Sequence, residues 1–503
     1  MDILKLFGPP GTGKTTALLE IMERELARGT RPDRLAFLTF TRHARQVAIK
    51  RATEKFGLEP EDLPFFRTLH AICYSQLNMS AAGMVKGGKD LQELGDLLGM
   101  RFSSKGGHVS EDMLDFPSGG EVGDRLLQFY HVQRHNLMST QQAWRGKFDD
   151  DVTDYQIRHF IRTYEDWKKR EGRRDFTDLL LEATTPLAVD VVIVDEAQDL
   201  SELQWQALHN LCCFADRMYL AGDDDQAIYT WAGASPSAFV RHDGKVEVLG
   251  QSYRVPARAA ELARKVISRV ANRQPKEWRP RPEDGVLRFR GDPVGLKYDE
   301  PGTHLVLYRH HYLVQDLEAE VRLNGIPYAR NDRPAPGAEW GKAIIFWERL
   351  RRGQELTWPE LKWVVDGIAI EKGITRAGQR LFWAADKAGK YKLSDLPAFG
   401  ISTTVEWYKA LTKILPDDAA YLRTIIKHHK AAALTERPKL HLSTIHAAKG
   451  AEGEHVTLLT ETSRRVRDQM DINPDDERRV FYVGITRAKE SLTVVGVDNP
   501  IIR

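Results

Sequence analysis

Short apolar runs alternating with helical patterns set the layout of the first half of the chain. Residues 3–7 form a mostly apolar run that ends in a glycine-rich turn, and 15–27 then follow a helical pattern. A second apolar run at 35–39 is followed by a helical stretch at 41–55. The run at 189–194 is nearly continuously apolar, as a parallel strand covered on both faces must be. Residues 218–220 and 246–249 read as further short strands. Strands alternating with helices predict a parallel α/β core. A second set of strands is predicted at 303–308, 440–444, 455–459 and 492–495. Residues 78–175, rich in Gly and Ser between 103 and 120, and the Trp- and charge-rich 311–437 read as mostly helical insertions. The predicted fold class is α/β, with two parallel-sheet cores, each carrying an inserted subdomain.

Composition adds little. A chain of 503 residues accommodates about three or four domains. Its hydrophobic content of 42% and charged content of 29% are ordinary for a globular protein. The formal net charge of +2 neither supports nor excludes a nucleic-acid partner, because a protein that must release a strand needs only a local basic groove. Cys73, Cys212 and Cys213 have no metal-binding spacing and read as reduced core thiols. With no apolar run of about 18 residues and no signal peptide, a soluble cytoplasmic protein without a membrane partner is expected.

The motifs carry the chemistry. Gly8-Pro9-Pro10-Gly11-Thr12-Gly13-Lys14-Thr15 fits G-x-x-x-x-G-K-[ST], between a predicted strand and a predicted helix. Gly8, Gly11 and Gly13 let backbone N–H groups face phosphates at a helix N-terminus. Lys14 is expected on the β- and γ-phosphates of ATP, and the Thr15 hydroxyl on Mg²⁺, with Thr12 and Thr16 completing the nucleotide contacts. Asp195-Glu196-Ala197-Gln198 follows the buried run at 189–194, at the end of a strand where parallel sheets place ligands. Asp195 is the expected second Mg²⁺ residue, and Glu196 the group that orients or deprotonates the attacking water.

An ordered series along nearly the whole chain resembles the superfamily 1 helicases of the UvrD/Rep/PcrA group. It comprises Leu38-Thr39-Phe40-Thr41, Arg67-Thr68-Leu69-His70, Asp175-Phe176-Thr177-Asp178-Leu179-Leu180 and the DEAQD run from Asp195 to Asp199. It continues with Gly222-Asp223-Asp224-Asp225-Gln226-Ala227-Ile228-Tyr229-Thr230-Trp231 and Gln251-Ser252-Tyr253-Arg254. It closes with Ser443-Thr444-Ile445-His446-Ala447-Ala448-Lys449-Gly450-Ala451-Glu452 and the ERRVFYVGITRAK stretch at 477–489. The resemblance implies two RecA-like cores, at 1–77 with 176–250 and at 251–310 with 438–503, carrying the insertions 78–175 and 311–437. Gln226 resembles the family's γ-phosphate sensor, Arg254 and Arg487 resemble arginines that reach the nucleotide from the second core, and Glu452 resembles a residue near the ribose. Phe40, His70, Tyr229 and Trp231 are the candidates for stacking on bases of the strand.

The same resemblance implies an ATP- and Mg²⁺-dependent DNA helicase, moving 3′→5′ on single-stranded DNA and acting at junctions of single and double strands. Replication or repair proteins are its expected but unidentified partners. Family members carry an adenine-reading Gln ahead of the phosphate loop, and with only Met1 to Phe7 before Gly8 a weaker selectivity for adenine is expected. Three alternatives stay open at this level. They are a translocase that displaces proteins without processive unwinding, a P-loop switch or loader that binds partners, and an RNA helicase.

Overall fold

The structure is a computed structural model that describes residues 1–39, 42–103, 121–144, 152–331, 333–403, 405–496 and 499–502. The chain divides into two compact units: Met1–Glu283 with Asn473–Val483, and Asp284–Ile472 with Gly484–Arg503. The first therefore runs past residue 250, where sequence reasoning closed the first core, and takes in Arg254.

Six strands build the sheet of the first unit: β1 (Asp2–Phe7), β2 (Leu35–Leu38), β3 (Phe66–Arg67), β4 (Val191–Val194), β5 (Arg217–Gly222) and β6 (Lys245–Val248). Their order is β3-β2-β4-β5-β1-β6, and every pairing is parallel. Alternate side chains of one strand enter different cores. Val192 and Val194 of β4 join Phe7, Leu38 and Leu220 on one face. Val191 and Ile193 join Leu6, Phe37 and Leu18 of the helix Lys14–Ala27 on the other. A strand buried on both sides has no room for polar side chains, which is why 191–194 reads Val-Val-Ile-Val.

The helices Lys89–Leu98, Val122–His135 and Asp154–Arg170 bury Leu94, Tyr130, Phe160, Tyr164 and Trp167 in a cluster of their own. Beside it, the Lys168 ammonium lies 2.7 Å from both Asp175 Oδ2 and Asp178 Oδ2, and Arg134 Nη1 lies 2.8 Å from Asp178 Oδ1. Asp175 and Asp178 also form a capping box on the helix Phe176–Glu182. His131 is buried next to these charges. Burial pushes its imidazole down to about 4, Asp175 opposes that, and Lys168 and Arg134 reinforce it. Between the ordinary value of 6.5 and about 4, the unfolded chain thus binds the proton that the folded chain refuses. Stability is fully present above that window and falls through it on acidification, by up to about 3 kcal/mol. Urea unfolding at stepped pH should show this slope, and His131→Leu should flatten it; an unchanged slope would contradict the assignment.

In the second unit the strands are β7 (Val286–Arg290), β8 (His304–Tyr308), β9 (Tyr328–Arg330), β10 (Arg333–Pro334), β11 (Leu356–Thr357), β12 (Lys390–Tyr391), β13 (Leu440–Thr444), β14 (Gly453–Leu459) and β15 (Ala488–Val495). The main sheet runs β10-β9-β13-β8-β14-β15-β7, parallel apart from the β10–β9 pair, and β11 with β12 forms a small separate sheet. Trp347, Leu361, Val364 and Leu422 of the helices Gly341–Arg351, Trp358–Asp366 and Pro416–His429 share one core with Val306, Tyr308 and Leu442 of the sheet. Both units are α/β with parallel-sheet cores.

The cysteine expectation needs one correction. Cys73 and Cys212 are buried, but Cys213 is exposed, because the helix Glu202–Leu211 has ended and the chain turns outward after Cys212. Among the described residues no helix is long and apolar enough to cross a membrane.

Candidate functional site

β1 delivers the chain into the phosphate loop, and the helix Lys14–Ala27 takes it away. Gly11 (φ +72°) and Gly13 (φ +81°) adopt the left-handed conformation that glycine reaches without steric cost. Gly8 is required for a different reason, since a Cβ there would lie 1.9 Å from Lys14 Cγ. The Lys14 ammonium donates to the Gly8 carbonyl at 2.8 Å, which holds its charge over the loop. Thr12 donates to the Pro9 carbonyl at 2.8 Å and is buried, whereas Thr16 is exposed in the first helical turn.

Two oxygens of a hard-cation site come together beside this loop. The Thr15 hydroxyl donates to Asp195 Oδ2 at 3.1 Å, and Asp195 follows β4. Burial, with Glu196 next in the chain, pushes the Asp195 carboxyl up to about 6, while Lys14 and Thr15 pull it back. A divalent cation between the two oxygens would offset the charge that burial disfavours, so the donor set fits Mg²⁺. Glu196 takes a left-handed φ of +53°, uncommon outside glycine. Gln198, which sequence reasoning did not single out, fixes that turn. Its amide Nε2 donates to Glu196 Oε2 at 2.5 Å, and its Oε1 accepts from the Asp223 N–H at 2.9 Å. One glutamine therefore ties the Glu196 carboxylate to the segment that follows β5.

That segment carries Gln226, buried, with its Nε2 donating to Asp223 Oδ2 at 2.7 Å. The Gln251-Ser252-Tyr253-Arg254 turn covers the phosphate loop from within the same unit. Ser252 Oγ donates to the Pro10 carbonyl at 2.7 Å, and the Tyr253 N–H donates to the Gly11 carbonyl at 2.8 Å. A Cβ at Gly11 would lie 2.4 Å from Arg254 Cβ, so glycine is needed where the two backbones meet. The Tyr253 ring is 74% exposed beside the loop. Sequence reasoning took only the arginine of this motif, although an aromatic next to it was the available signal.

Of the other expected residues, Arg487 and Glu452 belong to the second unit, where buried Arg487 donates to the Ala451 carbonyl at 3.3 Å and Lys489 lies 2.5 Å from Glu452. His70 is buried, edge-on to Phe176 with ring centroids 5.5 Å apart, and lines a small cavity with Thr39, Asp195 and Gln204. Tyr229 is buried and Trp231 half-buried. Phe40 lies outside the described residues. The structure thus brings Lys14, Thr15, Asp195, Glu196, Gln226 and Arg254 together within one unit.

A glycine-rich loop between a parallel strand and a helix, with a Thr of that helix meeting an Asp at the end of another strand of the same sheet, defines a P-loop nucleotide-binding α/β protein. Residues 3–247 match the UvrD/REP helicase N-terminal domain, and residues 399–498 match the UvrD-like helicase C-terminal domain. The chain belongs to the UvrD/REP helicase family, whose members bind ATP and DNA. Among similar proteins, "ATP-dependent DNA helicase Rep" of Escherichia coli is 21% identical over 96% of this chain and 87% of its own length. "DNA helicase II" of Haemophilus influenzae is 28% identical over 34% of this chain and 27% of its own length. "ATP-dependent DNA helicase PcrA" of Bacillus subtilis is 24% identical over 58% of this chain and 41% of its own length.

Proposed function

We propose that this chain is an ATP-dependent DNA helicase that translocates 3′→5′ on single-stranded DNA and unwinds duplex ahead of it. The observation that carries the reading is the Thr15–Asp195 pair beside Lys14, with Glu196 held at the end of the same strand. Thr15 and Asp195 would hold Mg²⁺, which would supply positive charge to the phosphate oxygens of the nucleotide. Lys14 neutralises the same oxygens, and Glu196 orients or deprotonates the attacking water. Gln226 senses the terminal phosphate. Arg254 and Arg487 stabilise the charge that develops on transfer, and Glu452 contacts the ribose. Arg487 stands on a different unit from Lys14. The Tyr253 ring offers an exposed face on which a purine would stack. Residues 1–77 with 176–250 and 251–310 with 438–503 would act as the two cores, with 78–175 and 311–437 as their accessory subdomains.

Among the described aromatic candidates for the track, half-buried Trp231 is the one with ring surface to offer. Trp231→Ala is expected to weaken single-strand binding by about 1–3 kcal/mol, with little preference for sequence. Fluorescence anisotropy on a labelled oligonucleotide measures it, and unchanged affinity would remove Trp231 from the interface. Direction and unwinding need their own experiment. Single strands labelled at either end, followed by stopped flow, should report arrival at the 5′ end, and a duplex with a 3′ tail should separate. Arrival at the 3′ end would overturn the polarity, and translocation without strand separation would favour the protein-displacing translocase.

A further inference from the structure

Three adjacent aspartates follow β5, and all three are buried: Asp223, Asp224 and Asp225. So many carboxylates in one interior position are tolerated only where cations meet them. Lys276 supplies the central charge. Its side chain is 1% exposed, and its Nζ lies 3.0 Å from Asp223 Oδ1 and 3.0 Å from Asp225 Oδ2, and also bonds Asp224 Oδ1. The same ammonium stands 5.5 Å from the centre of the Phe7 ring, the last residue before the phosphate loop. Arg273 forks onto Asp225 at 2.8 and 2.5 Å, and the Gln274 N–H donates to Asp224 Oδ2 at 2.8 Å. Arg479 adds a bond to the Asp224 carbonyl at 3.0 Å and one to the Asn272 carbonyl at 2.7 Å. Burial opposes the Lys276 charge, but the three carboxylates outweigh it and keep the ammonium protonated.

The geometry of Asp223 gives this cluster a use beyond neutralisation. One of its oxygens faces Lys276, and the other accepts the Gln226 amide at 2.7 Å. A carboxylate held at one oxygen cannot turn, so it fixes the amide bonded to the other. We propose that Lys276, supported by Arg273, is a positioning residue for ATP hydrolysis: through Asp223 it sets the Gln226 amide where it meets the terminal phosphate. This inference rests on Gln226 acting as the sensor of that phosphate. Neither cation belongs to the motifs read from the sequence.

Replacing Lys276 alone would leave Arg273 as the one described cation on three buried carboxylates, so the test uses Lys276→Met combined with Asp224→Asn, which restores the charge balance, and separately Lys276→Arg, which keeps the charge and moves the donor. Steady-state ATP turnover on poly(dT) is measured for each folded protein. Either variant is expected to lose about tenfold or more in kcat with KM for ATP almost unchanged, and to lose little more when Gln226→Ala is added. A merely structural role would lower Tm and leave kcat of the folded protein intact. Parental kcat in either folded variant would overturn the proposal, as would full additivity with a slow Gln226→Ala. Parental turnover in Gln226→Ala alone would instead overturn the sensor role of Gln226, on which the proposal depends.

Discussion

Glu196→Gln is expected to reduce DNA-stimulated ATP turnover by about 10²–10⁴-fold while ATP and single-strand binding persist. The change keeps the shape of the side chain and the packing around it. Gln198 Nε2, 2.5 Å from Glu196 Oε2, would then face an amide oxygen and still donate. What disappears is the negative charge that draws a proton from water. The left-handed backbone at Glu196 costs something to hold, and strain of this kind persists where the surroundings impose it; Gln198 and its bond to the Asp223 N–H are those surroundings. Turnover by a coupled phosphate assay and binding by anisotropy separate the two effects. A Glu196→Gln protein that hydrolyses ATP at the parental rate would remove Glu196 from the reaction.

Loss of an arginine should cost as much. Arg254→Ala is expected to lower kcat by about 10³-fold or more, in the range seen when a guanidinium is removed from a transferring phosphoryl group. The turn that carries it is held independently, by Ser252 on the Pro10 carbonyl and by the Tyr253 N–H on the Gly11 carbonyl, so the loop should keep its shape. Binding of ATP should fall far less than turnover, because the charge that Arg254 answers develops on transfer. A drop in affinity equal to the drop in kcat/KM would assign it to ground-state binding instead. Arg487→Ala should resemble it. Arg487 is buried and donates to the Ala451 carbonyl, so its variant also requires a melting curve to show that the second unit is intact.

Much of the fold was legible because burial on both faces of a parallel strand leaves a continuous apolar run. Val191–Val194 could be read from that signature alone, and the glycines of the phosphate loop marked the turn between strand and chemistry. The strands that escaped notice lack it. Val286–Arg290 is largely exposed at one edge of its sheet, so its charged and apolar residues alternate without a run. Phe66–Arg67 and Arg333–Pro334 are two residues long, too short for any period. In the site, Lys14, Thr15, Asp195 and Glu196 were readable because each chemistry demands its residue at a fixed offset in one local motif. Lys276 and Arg273 were not, since their importance lies in partners distant in the chain, and Gln198 shows its role only once its amide is seen to bridge Glu196 to Asp223. Lys276 meets its aspartates across about fifty residues, and nothing local to 276 announces an acidic run at 223–225. His70 and Tyr229 show the converse: the motif names an aromatic, but only the fold reveals that its ring is enclosed.

The most direct test is the rate of ATP hydrolysis by the purified chain with Mg²⁺, measured without nucleic acid and again with saturating single-stranded DNA or RNA. The motor proposed above should accelerate by about tenfold or more on DNA. The same rate with and without any strand would mean that nucleotide and track are not coupled here, and would return the chain to the class of P-loop switches.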